Sequence, residues 1–216
     1  MLLKVFNLII DLIFPPNEVE KILRTVSVEK IYSNCSKNTS DSSSDIYSIF
    51  LYKDAFIKDA IYELKKNKNK HAINLFSELL SLEIMNLLDE NIVTTDYRIP
   101  ITFTPQHKST YLNKGYNQAK ELASKISKLN PEVFDLSELL LKKIKTKPQH
   151  ELNNKKERLK NLRNTFEFNN DSDTDIKNKL VFLIDDVYTT GATLNEGRQK
   201  LLASGASKVV CFTIAH

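Results

Sequence analysis

Five apolar residues in a row, Leu180-Val181-Phe182-Leu183-Ile184, run straight into Asp185-Asp186 and then into Val187-Tyr188-Thr189-Thr190-Gly191-Ala192-Thr193. An apolar run without alternation suits a parallel strand covered on both faces. An amphipathic stretch follows the turn, so the segment reads as the strand–turn–helix of an α/β sheet. Ligands of open α/β sheets sit just beyond the carboxyl ends of such strands. The polar turn is therefore a candidate site.

The chemistry of that turn follows from its residues. Thr189, Thr190 and Thr193 offer hydroxyl donors, and Gly191 lets the backbone come close to a ligand. The amides of Thr190 to Thr193 precede or begin the next helix, where unpaired N–H groups and the helix dipole favour an anion such as a monophosphate. Asp185 and Asp186 would repel that phosphate, but neighbouring carboxylates accept hydrogen bonds from a vicinal diol. Phosphate at one end and diol at the other describe a ribose 5-phosphate. The same turn also suits an ordinary strand–turn–helix in which one aspartate caps the helix. Neither G-x-x-x-x-G-K-[ST] nor G-x-G-x-x-G occurs, which disfavours ATP and NAD.

Asp185 to Thr193 resembles the phosphoribosyl pyrophosphate (PRPP) signature of type I phosphoribosyltransferases at every characteristic position. Further blocks resemble the competence protein ComF family: Pro105-Gln106-His107, Lys114-Gly115-Tyr116-Asn117-Gln118, Lys145-Thr146-Lys147-Pro148-Gln149, and Glu157-Arg158 with Asn161 and Phe166. Phe14-Pro15-Pro16 and Tyr52, Ile61, Leu64 and Lys65 extend the likeness over nearly the whole chain. The resemblance implies a type I phosphoribosyltransferase fold, with a mostly parallel sheet flanked by helices and a small N-terminal appendage. It divides the chain into a degenerate N-terminal segment and linker, 1–45, and a phosphoribosyltransferase-like domain, 46–216.

The resemblance also implies roles. Asp185 and Asp186 would hold the ribose and form the catalytic set with Lys145. Val187, Thr189, Thr190, Gly191, Ala192 and Thr193 would hold the 5-phosphate. Pro105, His107, Lys108 and Lys114 would face the pyrophosphate. A diphosphate with hard oxygen ligands implies Mg²⁺ carried largely by the substrate, with no metal ligands from the protein. Two function classes follow: an enzyme transferring phosphoribosyl from PRPP to an unidentified acceptor, or a DNA-uptake accessory protein recognising single-stranded DNA with the same fold. A PRPP-sensing regulator is a third, weaker reading.

Departures from the family pattern sharpen these expectations. ComF proteins usually carry paired cysteines after Phe-Pro-Pro, forming a zinc site of four thiolates. Asn17 to Tyr32 holds none, and Cys35 and Cys211 are the chain's two cysteines, so no zinc is expected. Cys211 lies in an apolar run and reads as a buried strand residue, and Cys35 as a free thiol suited to reducing cytoplasm. Lysine replaces family arginines at Lys114 and Lys145. An ammonium offers point charge without the bidentate fork, so binding survives this exchange better than turnover.

Net charge is +4 over 216 residues, too mild to argue nucleic-acid binding alone. Lys65, Lys66, Lys68 and Lys70 form one local cluster and Lys142, Lys143, Lys145 and Lys147 another, each readable as a solvated helix end or loop or as a contact for a polyanion. Met1 to Phe14 is apolar but interrupted by Asn7 and Asp11, which predicts a short amphipathic helix and no stable membrane insertion.

Hydrophobic spacing supplies the remaining elements. A linker spans Asn34 to Asp45, and strands are expected at Ile46–Tyr52, Ile99–Thr104, Leu136–Ile144 and Lys208–Ala215. Helices are expected from an Asp54 cap, over His71–Leu88, and over Tyr116–Leu129 with Leu129 in its buried stripe. Lys145 to Asn154 matches the hood that closes over PRPP in the family, or an ordinary loop.

Overall fold

The structure, a computed structural model, describes residues 17–38, 45–90, 95–143 and 165–216. The Met1–Phe14 helix, residues 39–44 of the linker and the Lys145–Asn154 hood, with Lys145 itself, lie outside the described residues. In chain order the elements are helices α1 (Glu18–Leu23) and α2 (Val28–Asn34), strand β1 (Ile46–Phe50), helix α3 (Ala55–Tyr62), a π-helical turn (Glu63–Asn67) and helix α4 (Lys70–Glu90). There follow β2 (Ile99–Phe103), α5 (Lys108–Lys114), α6 (Gln118–Leu129), β3 (Phe134–Leu136) and β4 (Leu140–Lys142). The chain closes with β5 (Phe166–Phe168), β6 (Leu180–Ile184), α7 (Ala192–Ala203) and β7 (Lys208–Ala215).

Local chemistry starts four of the helices, the one behind the expected Asp54 cap among them. Asn17, Ser27, Asp54 and Asn117 each accept a backbone N–H from the first turn of the helix they precede, which satisfies donors the helix cannot pair itself. Gly205 follows α7 at φ 107°, a conformation that residues with a side chain rarely adopt.

Five strands form one parallel sheet in the order β1-β7-β6-β2-β3, and β4 and β5 make a separate antiparallel pair. Side chains alternate across the parallel sheet. Phe182, Ile184, Val210 and Phe212 join one core with α3, α4 and α6, whereas Val181, Leu183, Val209 and Cys211 join a second core with α7 and the β4–β5 pair. Both faces are covered, which is why β6 shows no polar alternation. The expected fold class, a mostly parallel sheet flanked by helices, is met. Leu23 of α1 and Ile31 of α2 are buried in the first core, so residues 17–38 pack onto it.

The strand order reverses between β2 and β6. From β2 the chain crosses through α6 to β3 on one side, and from β6 through α7 to β7 on the other. At such a reversal the loops beyond the two strands diverge and leave a crevice.

Three expectations need correction. The single strand expected over Leu136–Ile144 is two: Leu136 pairs with Ile101 in the main sheet, while Leu140 pairs with Phe168 in the hairpin. Helix α5 was not anticipated, because its exposed Tyr111 and Leu112 give no apolar stripe facing a core. Leu129, expected in a buried stripe, is 41% exposed in the last turn of α6.

Candidate functional site

Beyond Ile184 the backbone stays tied to β7. Asp185 N–H donates to Phe212 O at 3.0 Å, Ile214 N–H to Asp186 O at 3.0 Å, and Tyr188 N–H to Ala215 O at 2.8 Å. The acid pair is therefore fixed by sheet pairing. Asp186 N–H also donates to Asp185 Oδ1 at 2.9 Å, and the Thr104 hydroxyl donates to the Asp185 carboxylate. Enclosure by protein, with the neighbouring charge of Asp186 adding to it, pushes the Asp185 carboxyl up to about 7. Hydrogen bonds from Asp186 N–H and Thr104, and the charge of Lys65, work against that rise.

Lys65 Nζ lies 3.1 Å from Asp186 Oδ1. Burial works to lower this ammonium, but Asp186 and, more weakly, Asp185 outweigh it and hold it above the usual lysine range.

The turn that follows is shaped by Gly191, at φ 72°. A Cβ there would lie 2.7 Å from the Tyr188 ring, so glycine is needed both for its conformation and for the room it leaves. Gly191 brings no side chain to cap α7, and the Ala192 amide reaches the Thr190 hydroxyl at 3.4 Å. The start of a twelve-residue helix whose N-cap residue supplies no side chain favours an anion.

Two cavities open beyond the carboxyl end of β2, and the first of them also meets the end of β6. One, of about 390 Å³, is lined by Tyr52, Lys65, Thr104, Asp185, Asp186, Val187, Thr189 and Thr193, among others. The second, of about 330 Å³, is lined by Phe103, Lys108, Tyr111, Lys120, Glu138, Leu141 and Lys142. Pro105, Gln106 and Asn117 line both. Gln106 Nε2 donates to Gln118 Oε1 at 2.9 Å, while its own buried Oε1 has no partner among the described residues. Lys120 pairs with Glu138 at 3.3 Å. Burial lowers the Lys142 ammonium despite the opposing pull of Glu196 and Asp185.

The structure brings together most, not all, of the residues singled out by sequence. Asp185, Asp186, Val187, Thr189, Thr193 and Pro105 share the first cavity. Thr190, half-buried, and Gly191 and Ala192, buried, shape the turn behind it. Lys108 reaches the second cavity, and His107 caps α5, its Nδ1 2.9 Å from the Ser109 hydroxyl. Lys114, exposed at the far end of α5, lines neither cavity.

Sequence reasoning does not single out Lys120, and it places Lys65 and Lys142 only in lysine clusters, read as solvated or as contacts for a polyanion. Lys65 instead turns into the first cavity. Its place in the Leu64-Lys65 block was the available signal.

The described residues contain no group of three or more His, Cys, Asp or Glu side chains that could hold a metal ion. Two adjacent carboxylates, one of them bound by a lysine, do not make a protein-only site for Mg²⁺.

No protein-family model matches the chain. In sequence it is 29% identical over 151 residues to "DNA utilization protein YhgH" of Escherichia coli (strain K12), covering 69% of this chain and 62% of that protein. It is 28% identical over 169 residues to "Competence protein ComFC" of Streptococcus pneumoniae (strain ATCC BAA-255 / R6), covering 78% and 67%. The chain thus spans about three fifths of the YhgH relatives' length. Among solved structures, hypoxanthine phosphoribosyltransferase from Trypanosoma cruzi aligns over 65% of each chain, with a TM-score of 0.39 and 10% identity. The enzyme from Staphylococcus aureus gives a TM-score of 0.35 at 14% identity, over 65% of this chain and 62% of that one. Homologues of this chain thus carry the names competence protein ComFC and DNA utilization protein YhgH.

Proposed function

We propose that the chain binds PRPP with Mg²⁺ across the two cavities, as a ComF-like protein linked to competence and DNA uptake. One observation carries this reading: the acid pair and the threonine turn line a single cavity at the reversal of strand order. Asp185 and Asp186 accept the ribose hydroxyls. Val187 to Thr193 and the start of α7 take the 5-phosphate. The diphosphate points toward the second cavity, where Lys108, Lys120 and Lys142 supply positive charge. Mg²⁺, when bound, neutralises diphosphate charge, and the chain's own residues orient the sugar. Residues 46–216 form this ligand-binding unit, with 1–45 as the appendage.

Transfer to an acceptor would displace pyrophosphate from the anomeric carbon, with Asp185 or Asp186 taking a proton and Lys145, by the family resemblance alone, assisting the leaving group. Calorimetric titration tests the binding. PRPP should release heat that depends on Mg²⁺, and Asp186→Asn should weaken binding by about tenfold or more. No heat from the unaltered protein, or the same heat from the variant, overturns the reading. Pyrophosphate release with nitrogenous acceptors then tests turnover.

The relatives' names favour a second reading, in which the same face recognises single-stranded DNA without turnover. Tyr111, 44% exposed beside Lys108, offers one stacking surface among cations. DNA affinity that falls as salt rises supports it; affinity flat with salt removes it. Among the described residues no helix is long and apolar enough to cross a membrane. Two free thiols, Cys35 and Cys211, suit a reducing compartment such as the cytoplasm.

A further inference from the structure

Between α3 and α4 the chain makes one π-helical turn, Glu63–Asn67, closed by Lys68 at φ 51°. A π-helical turn winds more widely than an α-helical one, which re-aims the side chains it carries. Here Leu64 is fully buried in the core, while the next residue, Lys65, reaches Asp186. The turn is held from two other elements. Asn17 Nδ2 donates to Glu63 Oε1 at 2.6 Å, and Gln118 Nε2 reaches the Lys65 carbonyl at 3.5 Å. The Lys65 side chain is 36% exposed and Asp186 17%, so this is no surface pair. Immobilising and partly desolvating a lysine opposes folding, and the gain must come from the carboxylates it faces.

We propose that Lys65 is a tethered counter-ion for the acid pair, filling at Asp186 the place a free divalent cation would otherwise take. The remaining carboxylate oxygens then stay open to ligand hydroxyls, and a divalent ion enters the site on a ligand's diphosphate. Two carboxylates have little hold on a hard cation that seeks six or more oxygens. An ammonium already at Asp186 weakens that hold further by direct repulsion. The inference names its ligand from the PRPP reading, but the counter-ion role is testable without PRPP.

The probe is Mn²⁺ alone, titrated into the full chain and followed by the electron paramagnetic resonance signal of the free ion. The unaltered protein should bind Mn²⁺ no better than about millimolar. Lys65→Met should tighten this by about tenfold or more, the effect of removing one facing positive charge. Lys65→Gln, which keeps a polar chain of similar length, should show the same gain if the methionine variant folds poorly by circular dichroism. Lys65→Arg should behave like the unaltered protein, and Lys65→Gln with Asp186→Asn should lose the gain. Unchanged Mn²⁺ affinity in the folded Lys65 variants, or a gain that survives loss of Asp186, overturns the proposal. Titrating PRPP into the same proteins separates the two readings: no PRPP binding by the unaltered chain sinks the proposed ligand and leaves the Mn²⁺ result standing.

Discussion

Asp185 sits where a carboxylate is costly to ionise, between Asp186 and the floor of the cavity. Its folded value of about 7 exceeds the ordinary 3.8, so the folded chain holds more protons than the unfolded one between those limits. Stability from this group is therefore greatest in acid and falls as pH rises from about 4 to about 7, then levels off. Asp185→Asn should remove that component, raising stability at pH 8 relative to pH 4 by on the order of 1–3 kcal/mol. Thermal melts of both proteins across that range measure it. Gly191→Ala combines strain at φ 72° with a contact 2.7 Å from the Tyr188 ring. It should cost about 1–3 kcal/mol and weaken ligand binding, read from denaturant unfolding and calorimetry. At this scale the acid pair and threonine turn were legible because contiguous residues carry their chemistry. Lys65 was not, since a run of lysines looks solvated until a non-standard helical turn aims one of them inward.

Elements were legible where one face meets one core. β6 reads as a parallel strand because Phe182 and Leu183 serve opposite cores and leave no polar position. The stretch from Leu136 to Lys142 misleads for the opposite reason, since one segment supplies strands to two sheets and the polar Ser137-Glu138 at the break passes for the solvent side of a single strand. Helix α5 is fixed by its ends, a His107 cap and Gly115 at φ 62°, so no hydrophobic period reveals it. Helix α7 docks through Leu194 and Leu201, both essentially buried. Leu201→Ala should destabilise by about 2–5 kcal/mol, seen as a lower denaturant midpoint with an unchanged slope.

Among the described residues the five-stranded sheet lies between two cores, and the short helices α1 and α2 contribute Leu23 and Ile31 to the first of them. Unfolding followed by circular dichroism and by tyrosine fluorescence should therefore give coincident transitions; separated midpoints would show that the N-terminal helices melt on their own. The aromatic centre of that core joins Phe182 to Phe134 at 5.9 Å and to Phe212 at 5.5 Å.

The reversal of strand order sets the two banks of the crevice on β2 and β6, which pair with each other although they lie far apart in the chain. Thr104 N–H bonds to Ile184 O across that seam at 3.0 Å. A guest that touches both banks acts as a rivet through the middle of the sheet. Its grip would register as slowed deuterium uptake at Thr104 and Asp185 together, long before any movement at the rim.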